Sequence, residues 1–274
     1  MINQNKSDGK AASGKRNSKK RYTYRRPVKK GAPRQKKPEE SVHIAFLGGM
    51  NEIGKNMTLY EYKDDMFIVD CGLAFPTSDL PGVDLVIPDF TYVEKNRHKI
   101  KGVLVTHGHE DHIGGLAFLL KRINVPIYAT NLTIGLIQGK LKEHGLLNKA
   151  KLVEIRPRDN ITLGAFNIEF IHVNHSIPDA VGLAIRYPAG VIIQTGDFKI
   201  DTTPVDGDMI DLARFAEYGK KGVLALLSDS TNAERPGYTM SERKVGESFE
   251  HLFRKAHNKR IVVATFASNI HRVQ

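Results

Sequence analysis

The 274-residue chain has one cysteine, Cys71. That excludes an internal disulfide and any cysteine-rich structural zinc site, and it fits a reducing cytosol. No stretch of 18 uninterrupted apolar residues occurs, so no transmembrane helix is read and no membrane partner is expected. The opening MINQNKSDGK lacks the apolar core of a secretory signal. Tryptophan is absent, but hydrophobic residues reach 41%, which permits a sizeable core and excludes wholesale disorder. Most of the chain also lacks net charge. Residues 1–40 hold 14 Lys+Arg against 3 Asp+Glu, and the other 234 residues hold 27 of each sign. The formal charge of +11 is therefore the property of a tail.

Residues 1–40 contain almost no aliphatic side chains, so the ordering entropy has little apolar burial to offset it, and the composition predicts a disordered tail. Within KRNSKKRYTYRRPVKK (15–30), Tyr22 and Tyr24 stand among cations. Cations neutralise phosphates and tyrosine rings stack on unpaired bases, which favours contact with nucleic acid over a merely solubilising role.

Order is predicted from Ser41 onward. Strands are read at 42–49, 57–62, 66–70, 101–107, 125–130, 181–187 and 190–197, with a hairpin at 160–175. VLALLSD (223–229) reads as a fully buried strand and RIVVATF (260–266) as a final one. Helices are read at 113–123 and 131–145. A further helix begins at the capping box TMSE (239–242), with Val245, Phe249, Leu252, Phe253 and Ala256 on one face. This order implies a layered α/β domain with mixed sheets. A strand entering a new layer just before Gln274 reads as the start of something longer.

The sharpest chemical signal is THGHEDHIGG (106–115). A buried strand delivers His107, His109, Asp111 and His112 within six residues, and a helix follows at once. Three imidazoles and a carboxylate suit one or two borderline metal ions, zinc foremost. Other strand ends offer Asp70, His175 and Asp197. Taken singly, the two aspartates read better as turn or cap residues and the histidine as a satisfied core residue. Their occurrence beside the histidine cluster favours ligands. The remaining histidines, at 43, 98, 144, 172, 251, 257 and 271, have no such context. Cys71, next to Asp70, reads as core.

HGHEDHIGG, a later strand-end histidine and a GD at another strand end resemble the metallo-β-lactamase fold. LGGMNEIGKN, VIPDFTY, HSIPDA, TGDFKID, LLSDSTN, MSERKVGES and ATFASNIHR extend the likeness over about 42–274 to the bacterial ribonuclease J family of the β-CASP branch. The resemblance implies an αββα sandwich, with a metallo-β-lactamase domain over 41–240 and the start of a β-CASP domain over 241–274. By the same resemblance, His107, His109 and His175 are ligands of a first zinc, Asp111 and His112 ligands of a second, and Asp197 bridges both. Asp70 orients a metal-site histidine. Asp229 supports a proton-donating histidine that this sequence does not contain. Ser268, Asn269 and Arg272 face substrate.

The family's activity is zinc-dependent hydrolysis of RNA phosphodiester bonds, 5′-to-3′ exonucleolytic and endonucleolytic, in RNA maturation and decay. Two zinc ions per full-length subunit, with manganese as a substitute, and a cytoplasmic location are implied. So is a homo-oligomer or paralogue hetero-oligomer, within an RNA-decay complex. The last zinc histidine and the proton donor are not found before Gln274, so low activity of this chain alone is expected. Two alternatives stand beside this reading. One is a non-catalytic RNA-binding paralogue subunit, and the other is a thioesterase of the glyoxalase II type.

Overall fold

The computed structural model describes residues 41–205, 207–266 and 268. The basic tail, Asn269 and Arg272 lie outside the described residues.

The first sheet begins with three antiparallel strands, β1 (His43–Gly48), β2 (Met57–Tyr62) and β3 (Asp65–Val69). After a short helix α1 (Thr91–Lys95), β4 (Ile100–Leu104) joins β3 in parallel. Helices α2 (Glu110–Ile113) and α3 (Leu116–Leu120) lead to β5 (Ile127–Ala129), and α4 (Asn131–Glu143) leads to β6 (Leu152–Glu154). Both strands extend the parallel part, giving the order β1-β2-β3-β4-β5-β6. The second sheet holds β7 (Asn160–Leu163), β8 (Phe166–His172), β9 (Val181–Tyr187) and β10 (Gly190–Gln194), all antiparallel. Helix α5 (Leu212–Lys221) returns the chain to β11 (Ala225–Leu227), parallel to β10 at the sheet edge. Helix α6 (Glu242–Lys255) follows.

Alternation along the central strands explains the layering. Tyr60, Phe67, Val69 and Leu104 pack between the sheets against Phe166, Ile168, Phe170, Leu183 and Ile185. The intervening Leu59, Met66, Ile68 and Val103 turn to the opposite face, where Val93, Ile113, Leu116, Leu119, Ile137 and Leu141 cover them. Strands buried on both faces read as continuous apolar runs. On the far side of the second sheet, Ile171, Ala184 and Ile193 meet Tyr218 and Phe215 of α5. The result is helix, sheet, sheet, helix: the expected αββα sandwich.

Several local expectations are corrected. The helix at 113–123 is two shorter ones separated at Gly114–Gly115, although its apolar face, Ile113, Leu116, Leu119, Leu120 and Ile123, is buried as read. Strand 223–229 shortens to β11 and is not fully buried; with β10 as its one strand partner among the described residues, Leu226 stays 64% exposed. Helix α6 starts two residues later than the capping box placed it. Ser241 is its N-cap, and the Asp201 carboxylate accepts from the Glu242 amide at 3.3 Å. Its Leu252 and Phe253 are exposed. Residues 260–266 form no strand and leave Val262 and Phe266 exposed, since no neighbouring strand among the described residues pairs with them. Asp70 and Cys71 lie past the end of β3, where Asp70 takes φ +62°. Cys71 is nevertheless wholly buried in the core.

Candidate metal centre

The site assembles at one rim of the sandwich, where five strands end. Past β3 comes Asp70, and past β4 come Thr106, His107 and His109, with Asp111 and His112 on α2. Past β8 comes His175, past β10 Asp197, and past β11 Asp229. One backbone bond ties the sheets together here: Val181, at the start of β9, donates to the Thr106 carbonyl at 2.9 Å.

The turn carrying Asp111 and His112 is seated on the segment after β3. Cys71 N donates to the His112 carbonyl at 2.8 Å, Leu73 N to the Glu110 carbonyl at 3.1 Å, and Asn56 N to the Asp111 carbonyl at 3.0 Å. So close an approach needs glycine at position 72, where a Cβ would lie 1.5 Å from the Asp111 carbonyl oxygen.

Three ring nitrogens converge. His109 Nδ1 lies 3.1 Å from His107 Nε2 and 3.2 Å from His175 Nε2. Ligands placed tetrahedrally at zinc–nitrogen distances stand roughly 3.3 Å apart, so this spacing fits one ion. A second group comprises His107, His112 and Asp197. Asp197 Oδ2 is 3.5 Å from His112 Nε2 and 3.7 Å from His175 Nε2, which sets it between the two groups. Asp111 Oδ2 stands 3.6 Å from His112 Nε2. The nitrogen and oxygen donors thus suit borderline divalent metals.

Hydrogen bonds fix which nitrogens face the centre. Asp70 accepts from Thr106 N at 2.8 Å and from Thr106 Oγ1 at 2.9 Å, and its Oδ2 is 2.8 Å from His112 Nδ1. Thr106 Oγ1, having donated to Asp70, accepts from His107 Nδ1 at 3.0 Å. One buried carboxylate therefore orients two imidazoles, one directly and one through a hydroxyl, and leaves both Nε2 atoms toward the centre. Thr106 and Asn56 fall inside the segments THGHEDHIGG and LGGMNEIGKN, but sequence reasoning gave neither a role, because neither has a spacing signature of its own.

Burial pushes His175 down to about 4, and burial followed by the neighbouring imidazoles keeps His107 well below the ordinary range. His109 is lowered by burial as well. All three are neutral at pH 7, as metal ligands have to be. Burial alone would also lower His112, but the carboxylates of Asp70 and Asp197 outweigh it and hold this imidazole well above its ordinary value. Burial opposes ionisation of Asp197, yet His112 first, and then His175 and His109, draw it down to about 2.

A cavity of about 820 Å³ opens beside Asp111, His112 and Asp197, bordered by the 48–54 loop and by Asp229. Asp229 Oδ1 accepts from Thr231 N at 2.8 Å and from its hydroxyl at 2.7 Å. Ser268 is half-buried and does not line this cavity. Among the described residues, no helix is long and apolar enough to cross a membrane.

The Metallo-beta-lactamase superfamily model matches residues 50–234. Ribonuclease J of Synechocystis sp. is 52% identical over 236 residues, 85% of this chain and 37% of the relative. Ribonuclease J of Thermus thermophilus is 51% identical over 244 residues, 86% of this chain and 42% of the relative. Ribonuclease J2 of Bacillus subtilis is 45% identical over 241 residues, 88% and 43%. The chain thus spans about two fifths of the length of these relatives. A crystal structure of a protein of unknown function from Enterococcus faecalis shares the fold, with TM-score 0.61 and 18% identity over 84% of this chain and 61% of that one. The fold, the strand-end histidines and a match over two thirds of its length agree: the chain belongs to the metallo-beta-lactamase superfamily, and its curated relatives at about 50% identity are ribonucleases J.

Proposed function

We propose that this chain carries the metal-binding core of a zinc-dependent ribonuclease that hydrolyses RNA phosphodiester bonds. The observation that carries this reading is the convergence of His107 Nε2, His109 Nδ1 and His175 Nε2 to within 3.1–3.2 Å about His109. Relatives named ribonuclease J, about half identical over more than four fifths of the chain, supply the substrate class.

His107, His109, His175 and Asp197 would hold the first ion, and Asp111, His112 and Asp197 the second. Divalent ions held by these residues would lower the pKa of a bound water and offset charge on phosphoryl oxygens. The chain's own residues prepare that chemistry. Burial keeps His107, His109 and His175 neutral, Asp70 and Thr106 orient the His112 and His107 rings with Nε2 toward the centre, and Asp197 stays ionised between the groups. Asp229, at the cavity wall, would support a proton donor. The metal-binding domain covers 41–240, and 241–274 opens a second domain with Ser268, Asn269 and Arg272 toward RNA. A cytoplasmic location and an oligomeric longer form belong to the same reading. A non-catalytic subunit has no need of the intact HGHEDH donors at 107–112.

The test is hydrolysis of a 5′-monophosphorylated RNA oligomer with zinc or manganese, by this chain and by a version extended to its relatives' length. We expect slow cleavage by the chain, faster cleavage by the extended form, and loss in both on His109→Ala. Cleavage indifferent to His109, or thioester hydrolysis without RNA hydrolysis, overturns the reading.

A further inference from the structure

Asn56 belongs to none of the ligand groups, yet its side chain ends among the ligands of the second. Its Nδ2 lies 3.2 Å from Asp111 Oδ2, 3.1 Å from the Asp111 carbonyl and 3.1 Å from His112 Nε2. The two Asp111 oxygens are acceptors, so the amide nitrogen, not its oxygen, has to face them. The residue is also anchored at both ends of its backbone. Asn56 N donates to the Asp111 carbonyl, and the Asn56 carbonyl accepts from Gly72 N, each at 3.0 Å. A carboxylate with no other side-chain partner described except His112 would rotate freely at the mouth of an 820 Å³ cavity. Asn56 restrains it at Oδ2 and leaves Oδ1 for a ligand.

The geometry points to Asn56 as a positioning residue for the second metal position: its amide donates to the Asp111 carboxylate and carbonyl, holds that carboxylate in the arrangement that binds the ion and sets the affinity there, without contacting the three-histidine group. The inference rests on the metal-centre reading above. It predicts asymmetry between the two positions. Nothing in the His107, His109 and His175 group depends on the Asn56 amide, whereas the Asp111 carboxylate of the other group is held by it. Outer partners of metal ligands typically alter metal affinity by about 10–100-fold when removed.

The experiment titrates the metal-free chain with zinc against a chromophoric chelator and resolves two equivalents. Asn56→Leu keeps the side-chain volume and removes the donor; Asn56→Ala removes both. Each should weaken the second equivalent by about 10–100-fold and leave the first within about twofold, with the thermal midpoint little changed. If Asn56→Leu fails to fold, Asn56→Ala carries the test. An unchanged second equivalent, or equal loss at both, overturns the proposal while the metal centre stands. A wild-type chain that holds no second equivalent at millimolar zinc overturns it as well, and a chain that binds no zinc at all sinks the metal-centre reading with it.

Discussion

Asp70 Oδ2 sits 2.8 Å from His112 Nδ1, and both side chains are almost completely buried. The pair links the end of β3 to the first turn after β4, across 42 residues of sequence. The same carboxylate holds the amide and hydroxyl of Thr106, so three donors depend on one acidic group in a dry setting.

Replacing Asp70 with Ala should therefore act on metal and stability together. His112 loses its orienting partner and Thr106 its acceptor, leaving buried donors unsatisfied at roughly 1–3 kcal/mol. Second-position zinc affinity should fall about 10–100-fold. Chelator competition and urea denaturation check the two effects. Normal zinc binding in a destabilised variant would assign Asp70 to folding alone.

Gly72 is the tightest packing point beneath the site. A Cβ there would meet the Asp111 carbonyl oxygen at 1.5 Å and the His112 nitrogen at 2.8 Å. These are backbone atoms and cannot swing aside. Gly72→Ala should cost about 1–3 kcal/mol or more through displacement of the 110–112 turn. The loss of zinc at the second position should exceed that at the first. Denaturation midpoints and zinc stoichiometry measure both.

How much of this was legible in the sequence follows from range. The motif at 106–112 is local, and its spacing alone placed His107, His109, Asp111 and His112 at a strand end. His175 and Asp197 lie far along the chain, but each closes an apolar run, and beside the histidine motif that signal brought them forward. Strands 57–62 and 181–187 came out with the observed bounds, because burial and polar turns delimit them. The roles of Asn56, Thr106 and Gly72 stayed hidden. Their importance lies in backbone segments that meet only after the sheet has formed, and no periodicity encodes such a meeting. Residues 260–266 failed for the converse reason: β-branched apolar residues advertise a strand, but a strand requires a neighbour.

Behind the second sheet, Glu169 is 2% exposed and binds Arg214 through two bonds of 2.7 Å and the Tyr218 hydroxyl at 2.6 Å. Burial alone would raise its pKa, but these partners hold it below the ordinary 4.5. The stabilisation is therefore complete above the unfolded value of 4.5 and is lost as pH falls through the lower folded value. Glu169→Gln should cost about 1–3 kcal/mol at pH 7. The gap between wild type and variant should narrow at acid pH in urea denaturation. A gap independent of pH would mean that the ionised form contributes nothing.

Residues 1–40 carry the whole net charge, while the remaining chain is balanced. If the chain binds RNA, counterion release at the tail should dominate the salt dependence. Each single-strand phosphate neutralised contributes a log–log slope of roughly −0.7. Five such contacts, well within the reach of 14 cations, would give about −3.5 and weaken binding roughly a hundredfold between 50 and 200 mM salt. Deleting 1–40 should remove most of that slope and leave any sequence preference intact, because phosphate contacts carry no base information. Anisotropy titrations of a labelled RNA oligomer over a salt series read both quantities. An unchanged slope after deletion would place the phosphate contacts on the folded body instead. There, 27 acidic residues oppose 27 basic ones, and only a local cluster of cations could supply them.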